Sequence, residues 1–111
     1  MSGPVESQLY YAARHGLVSE VSTLLSDHPE INVNWTSFLE TPLHVAANKN
    51  HPGSLKLLLA YPGIEVNLKN GDGRTPSFLG CWNGSVSVVR LLLENPLVDV
   101  TLDDNEGRTP L

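Results

Sequence analysis

The chain has 111 residues, 41% of them hydrophobic and 17% charged, a balance that reads as one folded domain rather than a disordered segment. A net charge of −5 argues against nucleic acid and against an anionic membrane surface, since both require a basic face. The single cysteine, Cys81, excludes an intrachain disulfide and fits a reducing, intracellular setting, cytoplasmic or nuclear.

No charged segment leads into an apolar run at the N-terminus, so no secretory leader is expected, and no apolar run is long enough to span a bilayer. One period then organises the chain. Ala12-Ala13, Ala46-Ala47 and Gly80-Cys81 recur at 34 residues, as do Leu24-Leu25, Leu58-Leu59 and Leu92-Leu93. Thr41-Pro42, Thr75-Pro76 and Thr109-Pro110 keep the same step, and three landmarks sharing one spacing mark an internal repeat. The units run about 7–40, 41–74 and 75–108, with a truncated start of a fourth at 109–111.

In chain order, the first unit opens on Ser7-Gln8-Leu9-Tyr10 and carries a second helix at 18–25. A β-rich piece, 31–34, and a loop, 35–40, follow. That loop is one residue shorter than its successor and has Leu39 where glycine would serve, so a left-handed turn there is expected to be costly. In the second unit Thr41 is placed as an N-cap and Pro42 at the first helical position, where no N–H is needed. The helix is expected at 42–49, a break at His51-Pro52-Gly53, a second helix at 54–60 and a β-rich piece at 64–67. The third unit repeats this with Thr75-Pro76, a break at Asn83-Gly84, a helix at 86–94 and a β-rich piece at 98–101. Gly80 stands where the earlier units have alanine, a change expected to cost that helix about 1 kcal/mol. Polar turns at 70–74 and 104–108 place Gly73 and Gly107 where φ > 0 is needed. Leu57-Leu58-Leu59 and Leu91-Leu92-Leu93 are apolar on more than one side, so a lone helical hairpin could not bury them but stacked neighbours could.

The string Thr41-Pro42-Leu43-His44-Val45-Ala46-Ala47, the twins Gly73-Arg74-Thr75-Pro76 and Gly107-Arg108-Thr109-Pro110, and Glu65-Val66-Asn67 resemble the ankyrin repeat over nearly the whole chain from Ser7. The resemblance implies an all-α fold, an α-solenoid of stacked helix-turn-helix repeats with projecting β-turn or hairpin loops. It implies that the first unit is an N-terminal cap, that His44 hydrogen-bonds the Thr41 region and the neighbouring unit, and that Cys81 is a small core residue. An array stopping three residues into a unit is expected to continue, because solenoids need a polar terminal cap.

The resemblance also implies a protein–protein interaction module, an adaptor or scaffold that takes a protein or peptide on a concave face, without catalysis or cofactor. The contact positions it implies are Arg14-His15, Asn48-Lys49 and Trp82-Asn83 after the small-residue pairs. In the turns they are Trp35, Phe38 and Glu40, then Lys69, Asp72 and Arg74, then Asn105, Glu106 and Arg108. Trp82, Trp35, Phe38 and Arg74 are the expected centre, since interface hot spots favour Trp and Arg. Trp82 is expected to be exposed; Trp35 and Phe38 could equally pack under the irregular turn. Alternative readings are a self-associating module that pairs through the uncapped C-terminal repeat, and a non-catalytic recognition segment of a larger multidomain enzyme or signalling protein.

Other chemistry is set aside on spacing. His15, His28, His44 and His51 lack metal-ligand spacing, and a Cys81–His44 nucleophile pair conflicts with the repeat register. Residues 71–75 lack the Gly-Lys-Ser/Thr ending of a phosphate loop, 103–107 fail the calcium-loop pattern, and no carboxylate pair marks an acid–base site. Asn34-Trp35-Thr36 and Asn83-Gly84-Ser85 fit the glycosylation sequon but read as accidental without a secretory signal.

Overall fold

A computed structural model describes residues 4–111 as six helices in three hairpins. They are α1 (Val5–Arg14) with α2 (Val18–Asp27), α3 (Pro42–Asn48) with α4 (Pro52–Leu59), and α5 (Pro76–Trp82) with α6 (Val86–Glu94). α1 packs on α3 and α3 on α5, while α2 packs on α4 and α4 on α6, so two layers of helices run along a body of 39 × 25 × 22 Å. The expected all-α solenoid of stacked hairpins is therefore the observed architecture.

α3 and α5 have seven residues each, too few to hold together alone. Their starts are fixed chemically. The Thr41 hydroxyl accepts the N–H of His44 at 3.2 Å, and Thr75 does the same for Phe78 at 3.1 Å. Their ends are fixed by a left-handed residue in a three-residue link: Gly16, Asn50 and Gly84 have φ of 67°, 59° and 65°. The next N–H then returns to the carbonyl of Ala12, Ala46 or Gly80. In the second hairpin the chain turns at Asn50, one residue before the expected break at His51.

Burial follows the repeat register. Leu9 and Leu43, Ala12 and Ala46, Ala13 and Ala47, Val21 and Leu55, and Leu58 and Leu92 are all essentially inaccessible. Of the two leucine triplets, Leu58 and Leu92 are the buried members and Leu93 is 54% exposed. Gly80 is not merely a weak helix former. A Cβ built there would lie 2.9 Å from Cγ1 of Val88, so α6 sits closer to α5 than alanine would permit. Cys81 departs from expectation. It holds the place of buried Ala13 and Ala47 but is only partly covered, since among the described residues nothing packs across it as α5 packs across Ala47.

The loops are ordered by turns rather than strands: the β-rich pieces form none, and among the described residues the only bridge is Ser37 with Glu40. Their role is to couple hairpins. The Asn34 side chain donates to the Gly63 carbonyl and accepts from the N–H of Glu65, both at 2.9 Å. Asn67 repeats this one unit on, to Leu97 and Asp99, both at 2.8 Å. The short loop does turn left-handed without glycine: Phe38 and Leu39 have φ of 51° and 63°. Ser37 and Glu40 exchange two backbone hydrogen bonds of 2.8 and 3.0 Å around them, the pattern of a two-residue hairpin turn with both central φ positive. The missing residue forces the tighter turn, and for two non-glycine residues the strain is about 1–2 kcal/mol each.

Candidate partner-binding face

Phe78 and Trp82, four apart, share one side of α5, and Arg74 reaches them from the turn that precedes the helix. Phe78 and Trp82 stack at 5.7 Å with ring planes 15° apart. The Arg74 guanidinium lies 5.0 Å from the Phe78 centroid and 5.3 Å from that of Trp82, and Arg108, from the following turn, lies 4.9 Å from Trp82. Phe78 is buried but Trp82 keeps 59% of its surface exposed, in line with its expected position.

Asp104 lies beside both guanidinium groups: it hydrogen-bonds Arg108, and it pairs with Arg74 through charge alone, since Nε of Arg74 is buried without a hydrogen-bond partner. The Asp104 side chain is 1% exposed, and its Oδ2 lies 3.5 Å from Nε of Arg74 and 3.2 Å from Nε of Arg108. Its Oδ1 accepts the N–H groups of Glu106 and Arg108, each at 2.9 Å. Burial alone would raise the carboxyl pKa, but those two N–H groups and the Arg108 charge outweigh it and hold the pKa below the ordinary carboxylate value. Asn70 builds the same turn one repeat earlier, its Oδ1 accepting from Asp72 and Arg74 at 3.0 Å. Register with Asn70 was the sequence signal that could have identified Asp104; its link to both arginines was not visible in the sequence.

Behind this cluster His44 has the role expected of it. Its Nδ1 accepts the Thr41 N–H at 3.1 Å, so the ring proton sits on Nε2, within 2.8 Å of the Leu68 carbonyl and 3.1 Å of that of Arg74. His44 thereby anchors the loop that delivers Arg74. Burial, the largest influence, pushes the imidazole pKa below its usual value.

The other expected contact residues are dispersed. Arg14, His15 and Lys49 are exposed, His15 leaning on the Tyr11 ring at 4.3 Å. The Asn83 amide donates to the Asn48 carbonyl at 3.0 Å and to its side-chain oxygen at 2.7 Å, which links two hairpins. Asp72 is exposed at the tip of its turn, and Gly73 and Gly107 have the left-handed backbone expected of them. Trp35 is half-buried, edge-on to Tyr10 at 6.5 Å, whereas Phe38 is 96% exposed. Among the described residues no ring contact joins either to Trp82. Nor does any group of three or more His, Cys, Asp and Glu side chains gather there as a metal site. No helix of the described residues is long and apolar enough to cross a membrane.

Residues 43–93 match the family described as "Ankyrin repeats (many copies)". Over 68 residues, 61% of this chain, the sequence is 38% identical to Alpha-latrotoxin-Lg1a of Latrodectus geometricus, covering 5% of that protein. It is 35% identical over 85 residues to the Probable E3 ubiquitin-protein ligase XBOS32 of Oryza sativa subsp. japonica, covering 75% of this chain and 17% of that one. It is 32% identical over 71 residues to Rabankyrin-5 of Mus musculus, covering 64% and 6%. The chain thus spans less than a fifth of each of these relatives. The capped helical hairpins in two layers, the His44 anchor and these matches agree: the chain belongs to the ankyrin repeat family.

Proposed function

We propose that the chain is a non-catalytic recognition module that binds a protein or peptide partner, with Trp82, Arg74 and Arg108 at the centre of the contact face. Ankyrin repeats are generally protein-interaction modules, and the relatives' names span a toxin, a ubiquitin ligase and Rabankyrin-5. What they share with this chain is the repeat, so the fold alone names no partner. The observation that carries the reading is the exposed Trp82 ring between two guanidinium groups, of which Arg108 is hydrogen-bonded to a buried carboxylate and Arg74 lies 3.5 Å from the same carboxylate. A large ring ordered before binding loses little freedom on association, which is what a hot spot requires. Phe38 is a second contact, since a 96% exposed ring on a strained backbone serves no packing role. Trp35, half-buried and edge-on to Tyr10, is a packing residue rather than a contact.

The test starts with peptides selected from a displayed library on the wild-type chain. Their affinity for the Trp82→Ala variant is expected to fall about 30-fold, the scale of a 2 kcal/mol hot spot. Thermal stability should change little, because the ring is mostly in water. Lys56→Ala, exposed on α4, should bind as wild type does. Equal affinity for the Trp82→Ala variant would refute the placement.

A further inference from the structure

The sequence contains two Asn-Gly steps, Asn70-Gly71 and Asn83-Gly84, and the fold treats them differently. An asparagine before glycine is open to attack on its side-chain Cγ by the next backbone nitrogen, because glycine has no Cβ to shield that nitrogen. At Gly84 the nitrogen is engaged: its N–H donates to the Cys81 carbonyl at 3.1 Å, where α5 ends. Among the described residues no hydrogen bond holds the Gly71 N–H, and Gly71 is exposed at the tip of the 70–74 turn. The Asn70 side chain is folded back along that turn. Its Oδ1 accepts the N–H groups of Asp72 and Arg74, both at 3.0 Å, so its carbonyl is polarised by donors that also take up negative charge as a nitrogen adds to Cγ. Gly71 is imposed by packing, since a Cβ there would lie 3.1 Å from Cδ1 of Leu39.

We propose that Asn70 is a site of spontaneous deamidation in the folded chain, and that its conversion loosens the turn that delivers Arg74. The Gly71 nitrogen bonds to Cγ of Asn70, the Cγ–Nδ2 bond breaks, and Nδ2 leaves as ammonia with the Gly71 proton. Water then adds to either carbonyl of the resulting cyclic imide. One opening gives aspartate; the other gives isoaspartate, with the chain running through the former side chain. The register position accommodates aspartate, because Asp104, one repeat on, accepts the equivalent N–H groups of Glu106 and Arg108 at 2.9 Å. What is lost is the other half of the amide. Nδ2 of Asn70 donates to Oε2 of Glu40 at 3.0 Å and so joins this turn to the 37–40 turn before it. A carboxylate in that place faces a carboxylate and repels where the amide held. Isoaspartate also lengthens the backbone and withdraws the acceptor from the Arg74 N–H.

Peptide mapping by mass spectrometry of the folded chain, held for days in mildly alkaline buffer, tests the proposal. The Asn70 peptide should gain the mass of an amide-to-acid change and split into aspartate and isoaspartate forms. Asn83 should convert about tenfold more slowly, the factor set by releasing the hydrogen bond at Gly84. In urea the two steps should convert at similar rates, since only the fold distinguishes them. Asn83 keeping pace with Asn70 in the folded chain, or Asn70 converting in urea but not when folded, would overturn the site. The Asn70→Asp chain carries the product from the outset and should unfold at lower urea than wild type. Glu40→Gln in that background reverses donor and acceptor and should recover most of the loss. A loss that Glu40→Gln leaves untouched would overturn the assigned consequence.

Discussion

At the scale of one residue, His44 makes the stack sensitive to pH. Both ring nitrogens are committed in the neutral form, Nδ1 as acceptor from Thr41 and Nε2 as donor toward Leu68 and Arg74. A proton on Nδ1 would meet an N–H donor head-on. Because burial lowers the folded-state pKa below the free value of about 6.5, the folded chain takes up this proton less readily than the unfolded one. The His44 contribution is therefore complete above about pH 6.5 and declines as pH falls toward the folded value. Denaturant titrations should show stability falling from pH 7 to pH 5. Phe78 occupies the same place one repeat on, so His44→Phe should fold, lose about 1–3 kcal/mol at pH 7 through the unpaired Thr41 N–H, and lose most of that pH slope. An unchanged slope would assign it to another group. Asp104 acts in a separate window: its lowered pKa keeps its contribution intact above about pH 4 and loses it only below.

At the scale of an element, the helix α5 shows where propensity and packing disagree. Propensity alone gives Gly80→Ala a gain of about 1 kcal/mol. The added Cβ, however, would press on Val88, a fully buried β-branched side chain with little freedom to move. Overpacking of this kind costs about 1–3 kcal/mol, so the substitution should destabilise, with a net loss on the order of 1 kcal/mol in urea unfolding. A more stable variant would show that α6 slides outward freely. The same contrast marks how far the sequence could be read. Period, caps and breakers fixed the hairpins, because they act within a few residues. What the β-rich pieces hold was not legible, because Asn34 and Asn67 spend their side chains on the next hairpin, a contact about 30 residues away. Register alone placed Trp82 outside, but its clasp by Arg74, Arg108 and Asp104 joins two turns 34 residues apart, a proximity that the fold creates.

At the scale of the whole molecule, stability is shared between neighbours and is uneven along the stack. Among the described residues α4 lies between α2 and α6, while α6 packs along the stack on α4 alone. A cavity in the middle layer should therefore weaken two interfaces, and one at the end should weaken a single interface. Leu58→Ala and Leu92→Ala remove the same atoms from equally inaccessible places, 0% and 1% exposed. Each should cost about 2–5 kcal/mol, with Leu58 toward the upper end. The two tryptophans separate the outcomes, since Trp35 precedes the middle hairpin and Trp82 ends α5 in the last one. In single-tryptophan chains made with Trp82→Phe or Trp35→Phe, Leu58→Ala should shift both fluorescence transitions in urea together. Leu92→Ala should move the Trp82 transition to lower urea than the Trp35 transition, as the last hairpin frays while the first two stay folded. Coincident transitions in both variants would mean that the three hairpins fold as one indivisible unit and that the terminal layer has no separate equilibrium of its own.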